Sequence, residues 1–295
     1  MSWRVTLACT RAEAEALPDA DDVFAYSDAP PVIVADEPDP HRPEDWRIHA
    51  YFEEQPTTQE LILLRRLAPG GDPELEHLSE TDWVTLSQAG LEPIVAGRFF
   101  VHTPAHREAI PEGATAFEID AGLAFGTGQH DTTAGCLAAL DKLQAAGANF
   151  SNFADIGTGT GLLAFAAMEL WPGARALATD IDPISIEVTR ENAAINRIKL
   201  GENFSELLLT VSDGMDSPLV ATRAPFDLLI ANILAGPLID LAPDFAKAVT
   251  PGATLVLAGL LDTQADEVIA AYEAQGMTVA ERGAGEWCVL VLTAR

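Results

Sequence analysis

A chain of 295 residues, 48% of them hydrophobic, can bury one large core, or one medium and one small domain. Its 45 acidic against 17 basic residues give a net charge of −28, which repels nucleic acid at long range and attracts basic partners, or simply keeps the protein in solution. The three scattered cysteines, Cys9, Cys136 and Cys288, argue against a zinc cluster and a disulfide framework, and no metal is expected. The chain has no basic-then-apolar start and no apolar run near the ~20 residues of a membrane span, so a cytoplasmic protein without membrane contact is expected.

Residues 1–80 read as one domain. A half-buried strand over 3–9 is followed by a short helical stretch over 11–17 and strands at 23–26, 31–34 and 46–52. The three prolines within 36–43 make a loop. Thr57 and Thr58 cap a helix that ends near Leu67, before Pro69-Gly70-Gly71. The order strand, helix, strands, helix predicts a small α+β domain of ferredoxin-like layout. Residues 81–115 read as a linker, with a helix over 82–91, a strand over 98–102 and a polar loop over 104–113.

From residue 116 on, helices and strands alternate. Helices are expected at 132–143, after the glycine turn at 162–168, at 184–195, 238–249 and 263–275. Strands are expected before Asp155, then at 174–179, 207–211, 226–231, 254–258, 277–281 and 287–292. Such alternation builds a parallel sheet with helices on both faces. The last two strands are joined by only Arg282-Gly-Ala-Gly285, so one of them must run antiparallel. The expected fold is α/β, a seven-stranded Rossmann-like sheet of the class I methyltransferase kind.

The chemistry concentrates at the carboxyl ends of these strands. Asp155-Ile-Gly157-Thr-Gly159-Thr-Gly161 is a strand–turn–helix junction where a ligand can meet backbone amides at a helix start. Asp180 ends the next strand, where a carboxylate accepts hydrogen bonds from a ribose. These two features admit either NAD or S-adenosylmethionine. Asp155 either ties down the turn or faces a methionyl amine. Asp182 reads as a helix cap, and Asp213 equally as a turn residue or a neighbour of an adenine amino group.

Two further stretches flank the turn. Residues 120–133, with Phe125, three glycines and His130, read as a loop able to fold over a ligand, and Thr133 sits where a helix N-terminus binds a carboxylate. His130 is a base, a substrate contact or only a polar loop residue. Asn232-Ile233-Leu234 follows the fourth strand, across the sheet from the glycines. The Asn232 side chain and the carbonyls after it can accept hydrogen bonds from an amine, whereas a dehydrogenase has no special use for this turn.

The 120–133 stretch, the glycine turn, Ala178-Thr-Asp-Ile-Asp-Pro183, Ala231-Asn-Ile-Leu-Ala-Gly-Pro237, Leu257-Ala-Gly-Leu260 and Glu286-Trp-Cys288 together closely resemble the ribosomal protein L11 methyltransferase (PrmA) family. The resemblance implies S-adenosylmethionine as cofactor, and as substrate a basic large-subunit ribosomal protein, L11, methylated on lysine side chains and its N-terminal amine. It implies a substrate-recognition domain over 1–80, a linker over 81–115 and a catalytic domain over 116–295. Cofactor contacts would come from Thr133, Gly157, Gly159, Asp180 and Asn232, with Phe125 and His130 in a lid. Asn232, Ile233 and Leu234 would orient the substrate amine. A monomer that does not bind nucleic acid directly is expected.

Overall fold

The computed structural model describes residues 2–15, 17, 21–24, 31–36, 45–52, 54–78, 93–119 and 129–295. The chain divides into two compact units, Met1–Gly90 and Leu91–Arg295.

In the smaller unit, β1 (Ser2–Thr10), α1 (Arg11–Glu15), β2 (Val32–Asp36), β3 (Asp45–Phe52), α2 (Thr58–Leu67) and β4 (Glu74–Leu78) follow in order. The sheet order is β2-β3-β1-β4 with every neighbouring pair antiparallel, the layout expected for a ferredoxin-like domain. Period-two alternation sends Val5, Leu7, Ile48, Ala50 and Phe52 to one face, where they pack with Leu64 of α2 and Ala68. Thr57 and Glu60 form a reciprocal capping box at the start of α2.

Two sequence expectations change here. Residues 23 and 24 of the strand expected over 23–26 lie in a 3-10 turn, Asp21–Phe24, that sets Phe24 edge-on against Phe52, so one aromatic anchor had mimicked a strand pattern. Strand β4 was not expected, because Glu74, Leu75, Glu76 and His77 lie exposed along the sheet edge and their sequence carries no apolar alternation. The expected loop over 37–43 and helix over 82–91 fall outside the described residues.

The larger unit opens with β5 (Ile94–Ala96), β6 (Phe99–His102) and β7 (Thr115–Glu118), which form a three-stranded sheet. The strand expected over 98–102 is β6. Phe99 and Val101 of that strand lie in the main core with Phe117 of β7, which packs against Phe165. Strands β5 and β7 were not expected, because they are short and separated from β6 by polar turns.

Then follow α3 (Gln129–Ala145), β8 (Asn152–Ile156), α4 (Leu162–Leu170), β9 (Arg175–Asp180), α5 (Pro183–Ile195), β10 (Leu207–Val211), α6 (Pro218–Arg223) and β11 (Phe226–Asn232). The chain closes with α7 (Ala235–Ala248), β12 (Val249–Leu261), α8 (Ala265–Glu273), β13 (Thr278–Arg282) and β14 (Trp287–Thr293). The seven strands lie in the order β10-β9-β8-β11-β12-β14-β13, and β14 alone runs against the direction of the other six. Both faces are covered: Phe153, Leu228 and Ile230 point into one core, Ala154, Leu229 and Ala231 into the other. The strand order reverses between β8 and β11, and a crevice opens there at the carboxyl edge.

Strand β12 is far longer than the expected 254–258, since it runs through Pro251-Gly252 and a register shift near Gly259. Helix α6 was also not expected from the sequence. Among the described residues, no helix is long and apolar enough to cross a membrane. Replacing Thr57 by Ala removes one side of the capping box, and urea titration should show a loss of about 1 kcal/mol in stability.

Candidate functional site

The glycine turn is held by backbone bonds before any side chain acts. The amides of Gly157 and Thr158 both donate to the Thr179 carbonyl at 2.8 Å, locking the turn to the end of β9. Asp155, only 1% exposed, fastens it from below. Its Oδ2 accepts from Thr158 Oγ1 at 2.7 Å and from the Ala164 amide at 3.1 Å. Its Oδ1 is buried without a hydrogen-bond partner. Burial pushes the Asp155 carboxyl up to about 7, against the lowering effect of its two donors. Of the two readings of this residue, the geometry favours the staple.

Asp180 has a different setting. It stands at the end of β9, half-buried, on the wall of a cavity of about 510 Å³. The Gly159 amide donates to its Oδ2 at 2.9 Å and the Asp182 amide to its Oδ1 at 3.0 Å. Each oxygen keeps acceptor capacity for a further donor. Asp182 caps α5 as expected, accepting from the Ile184 amide at 2.9 Å. Asp213 is exposed in a turn closed by Ser212 and Asp216, and it also lies on the cavity rim.

The opposite wall is the turn after β11. Asn232 Nδ2 donates to Thr133 Oγ1 of α3 at a long 3.5 Å, joining two of the expected residues. The Ile233 amide donates to the Ala258 carbonyl at 3.1 Å. Ile233 is wedged between two glycines with left-handed backbone. A Cβ at Gly157 (φ +74°) would overlap the Ile233 side chain, and one at Gly259 (φ +86°) would overlap the Ile233 backbone. Leu234 begins α7 and is 71% exposed at the cavity mouth.

One cavity thus brings together Thr133, Gly157, Gly159, Asp180, Asn232, Ile233 and Leu234. Phe125 lies outside the described residues, as does the side chain of His130, whose backbone begins α3. Sequence reasoning did not single out Gly259 as a conformational requirement, although the stretch containing it carried part of the family resemblance. It also missed Thr189 and Asn192, whose side chains reach the carbonyls of Gly159 and Thr160 from α5. No local signal marks those two: each is an ordinary polar position until the helix is packed.

The crevice holds an acidic strand end, a glycine turn and an amide side chain facing it, donors and acceptors whose chemistry suits a nucleoside-bearing ligand. The profile of the ribosomal protein L11 methyltransferase (PrmA) family matches residues 4–295. A ribosomal protein L11 methyltransferase of Caulobacter sp. (strain K31) is 42% identical over 292 residues, covering 96% of this chain and 94% of that protein. One from Brucella suis (strain ATCC 23445 / NCTC 10510) is 46% identical over 205 residues, 70% of each chain. The crystal structure of a ribosomal protein L11 methylase from Lactobacillus delbrueckii subsp. bulgaricus superposes with a TM-score of 0.57 at 25% identity, covering 70% of this chain and 98% of that one.

Two predictions follow from this geometry. Between the ordinary carboxylate range and pH 7 the folded protein holds a proton on Asp155 that the unfolded chain has lost, so this residue drains stability as pH rises and the loss levels off above about 7. Asp155→Asn should therefore gain on the native protein by about 2 kcal/mol between pH 5 and pH 8, read from urea titrations of both at each pH. Gly259→Ala must shift the Ile233 backbone, and should cost about 1–3 kcal/mol in the same measurement.

Proposed function

The chain belongs to the ribosomal protein L11 methyltransferase (PrmA) family, and from that premise we propose that it transfers methyl groups from S-adenosylmethionine to amino groups of ribosomal protein L11, at lysine side chains and the N-terminal amine. The observation that carries this reading is the single crevice in which the glycine turn and Asp180 face Asn232-Ile233-Leu234. A cavity of about 510 Å³ suits a nucleoside cofactor, and its donors and acceptors have the right chemistry. Asp180, with lone pairs to spare, would take the ribose hydroxyls. The turn at Gly157 and Gly159 would let the amino-acid end approach bare backbone, with the Thr160 amide and the start of α4 facing it and Thr133 and Asn232 closing the far side.

When bound, S-adenosylmethionine supplies a methyl already activated on a sulfonium, so the protein's task is orientation. Asn232 spends its Nδ2 on Thr133, which leaves Oδ1 to accept from the incoming amine. The carbonyls of Asn232 and Ile233 add further acceptors that aim the nitrogen lone pair. A free lysine amine has a pKa near ~10.4, and the apolar Ile233 and Leu234 at the mouth favour its neutral form by stripping water from it. No side chain of the cavity is assigned as general base; the proton leaves to water.

The charge supports the choice of partner. A protein of net charge −28 attracts a basic ribosomal protein and repels RNA, and this favours a protein over a nucleic-acid substrate. We assign substrate recognition to the smaller unit on the family resemblance. We further propose that it acts as a monomer and, given a ribosomal substrate, in the cytoplasm.

The test is incubation with methyl-labelled S-adenosylmethionine and ribosomal protein and RNA from cells lacking the enzyme. Label in one protease-sensitive band at L11 is expected, with intact mass counting the methyls; label removed by nuclease instead would overturn the substrate assignment. Asp180→Asn should raise the cofactor KM about tenfold with kcat largely kept, and Asn232→Ala should lower kcat/KM by about 100-fold or more in the same assay.

A further inference from the structure

Helix α5 backs the cofactor turn with a row of polar side chains. Thr189, Asn192 and Asn196, the last at the helix C-cap, lie three and seven residues apart from the first and so share one face. Each donates to a backbone carbonyl. Thr189 Oγ1 donates to Gly159 at 2.8 Å and Asn192 Nδ2 to Thr160 at 3.1 Å. Asn196 Nδ2 donates to Glu118 at 2.7 Å and to Asn192 at 2.8 Å, while its Oδ1 accepts the Glu118 amide at 2.9 Å. Thr189 and Asn192 are 0% and 1% exposed, so their donors depend on these protein partners.

The direction of these bonds matters. In a trans peptide the carbonyl of one residue and the amide of the next point opposite ways. Drawing the Gly159 and Thr160 carbonyls toward α5 turns the amides of Thr160 and Gly161 away from it. Gly161 gives its amide to the Thr158 carbonyl at 2.9 Å. Thr160 lies on the cavity wall, and its amide is left for a ligand.

We propose that Thr189 and Asn192 are positioning residues for the cofactor: by gripping two carbonyls of the glycine turn they hold it in the shape that presents the Thr160 amide to the cavity, and Asn196 anchors the same helix to the end of β7. Neither residue touches the ligand. The proposal rests on the S-adenosylmethionine reading of the cavity and adds to it a set of residues outside the cavity wall that tune affinity.

The experiment uses the full chain and S-adenosylhomocysteine as probe, titrated calorimetrically. Thr189→Val keeps the branched shape and removes the donor, and should weaken binding about five- to tenfold, with kcat at saturating cofactor within about twofold. Thr189→Ser restores the donor and should restore the affinity, which a packing role for the methyl would not allow. Native affinity in Thr189→Val, or failure of Thr189→Ser to rescue it, would overturn the proposal. If Thr189→Val does not fold, Asn192→Ala carries the same expectation, and an unchanged Kd overturns it. Absence of binding by the native protein would sink the cofactor reading itself, and this proposal with it.

Discussion

Ile233 wedged between Gly157 and Gly259 is the contact on which the crevice depends. Its side chain fills the space where Gly157 has no Cβ, and its backbone runs where Gly259 has none. Three consecutive strands, β8, β11 and β12, therefore meet at one residue just beyond the point where the strand order reverses. Any side chain at either glycine would push the Asn232 turn away from the cofactor turn. Close packing makes this an all-or-none arrangement, because interiors transmit such a displacement and do not absorb it. With Ile233 seated, Asn232 reaches Thr133 and Leu234 is left at the mouth.

The same crevice shows how environment, and not residue type, sets the part a carboxylate plays. Asp155 and Asp180 end neighbouring parallel strands. Asp155 is sealed beneath the turn, so its charge is unfavourable and its bonds are spent within the protein. Asp180 stands on the wall and keeps open lone pairs toward the cavity. One acid holds the turn in shape and the other faces the cavity. The turn itself is gripped on three sides, by the Thr179 carbonyl, by Asp155 and by the side chains of α5. Such a shell makes a glycine-rich segment rigid despite its intrinsic freedom, and rigidity is what methyl transfer needs, since the reacting carbon is already activated and the protein contributes mainly geometry.

Much of this was legible in the sequence, for identifiable reasons. The alternation of apolar strands and amphipathic helices after residue 150 follows directly from two-sided burial, and the short final loop forces the antiparallel strand. Asp155, the glycines and Asp180 are local signals, readable because a turn needs glycine and a strand end needs a cap. Asn232-Ile233-Leu234 could be placed opposite them because parallel connections obey one handedness. The polar edge strand β4, the strands β5 and β7 and the length of β12 were not legible, since each owes its conformation to a neighbour and not to its own pattern.

The primary structure by itself determined the fold class, the number of strands in the large sheet and the reversal of one of its last two, the family and residues on both sides of the crevice, because those rest on periodicity and on motifs a few residues long. Only the tertiary structure decided that Asp155 is a buried staple, that Gly259 exists to make room for the Ile233 backbone, and that Thr189 and Asn192 reach the cofactor turn from 30 and 32 residues away. The reason is physical: a missing Cβ, an orphaned carboxylate oxygen or a side chain gripping a distant carbonyl has meaning only once two remote segments share the same few ångströms of space.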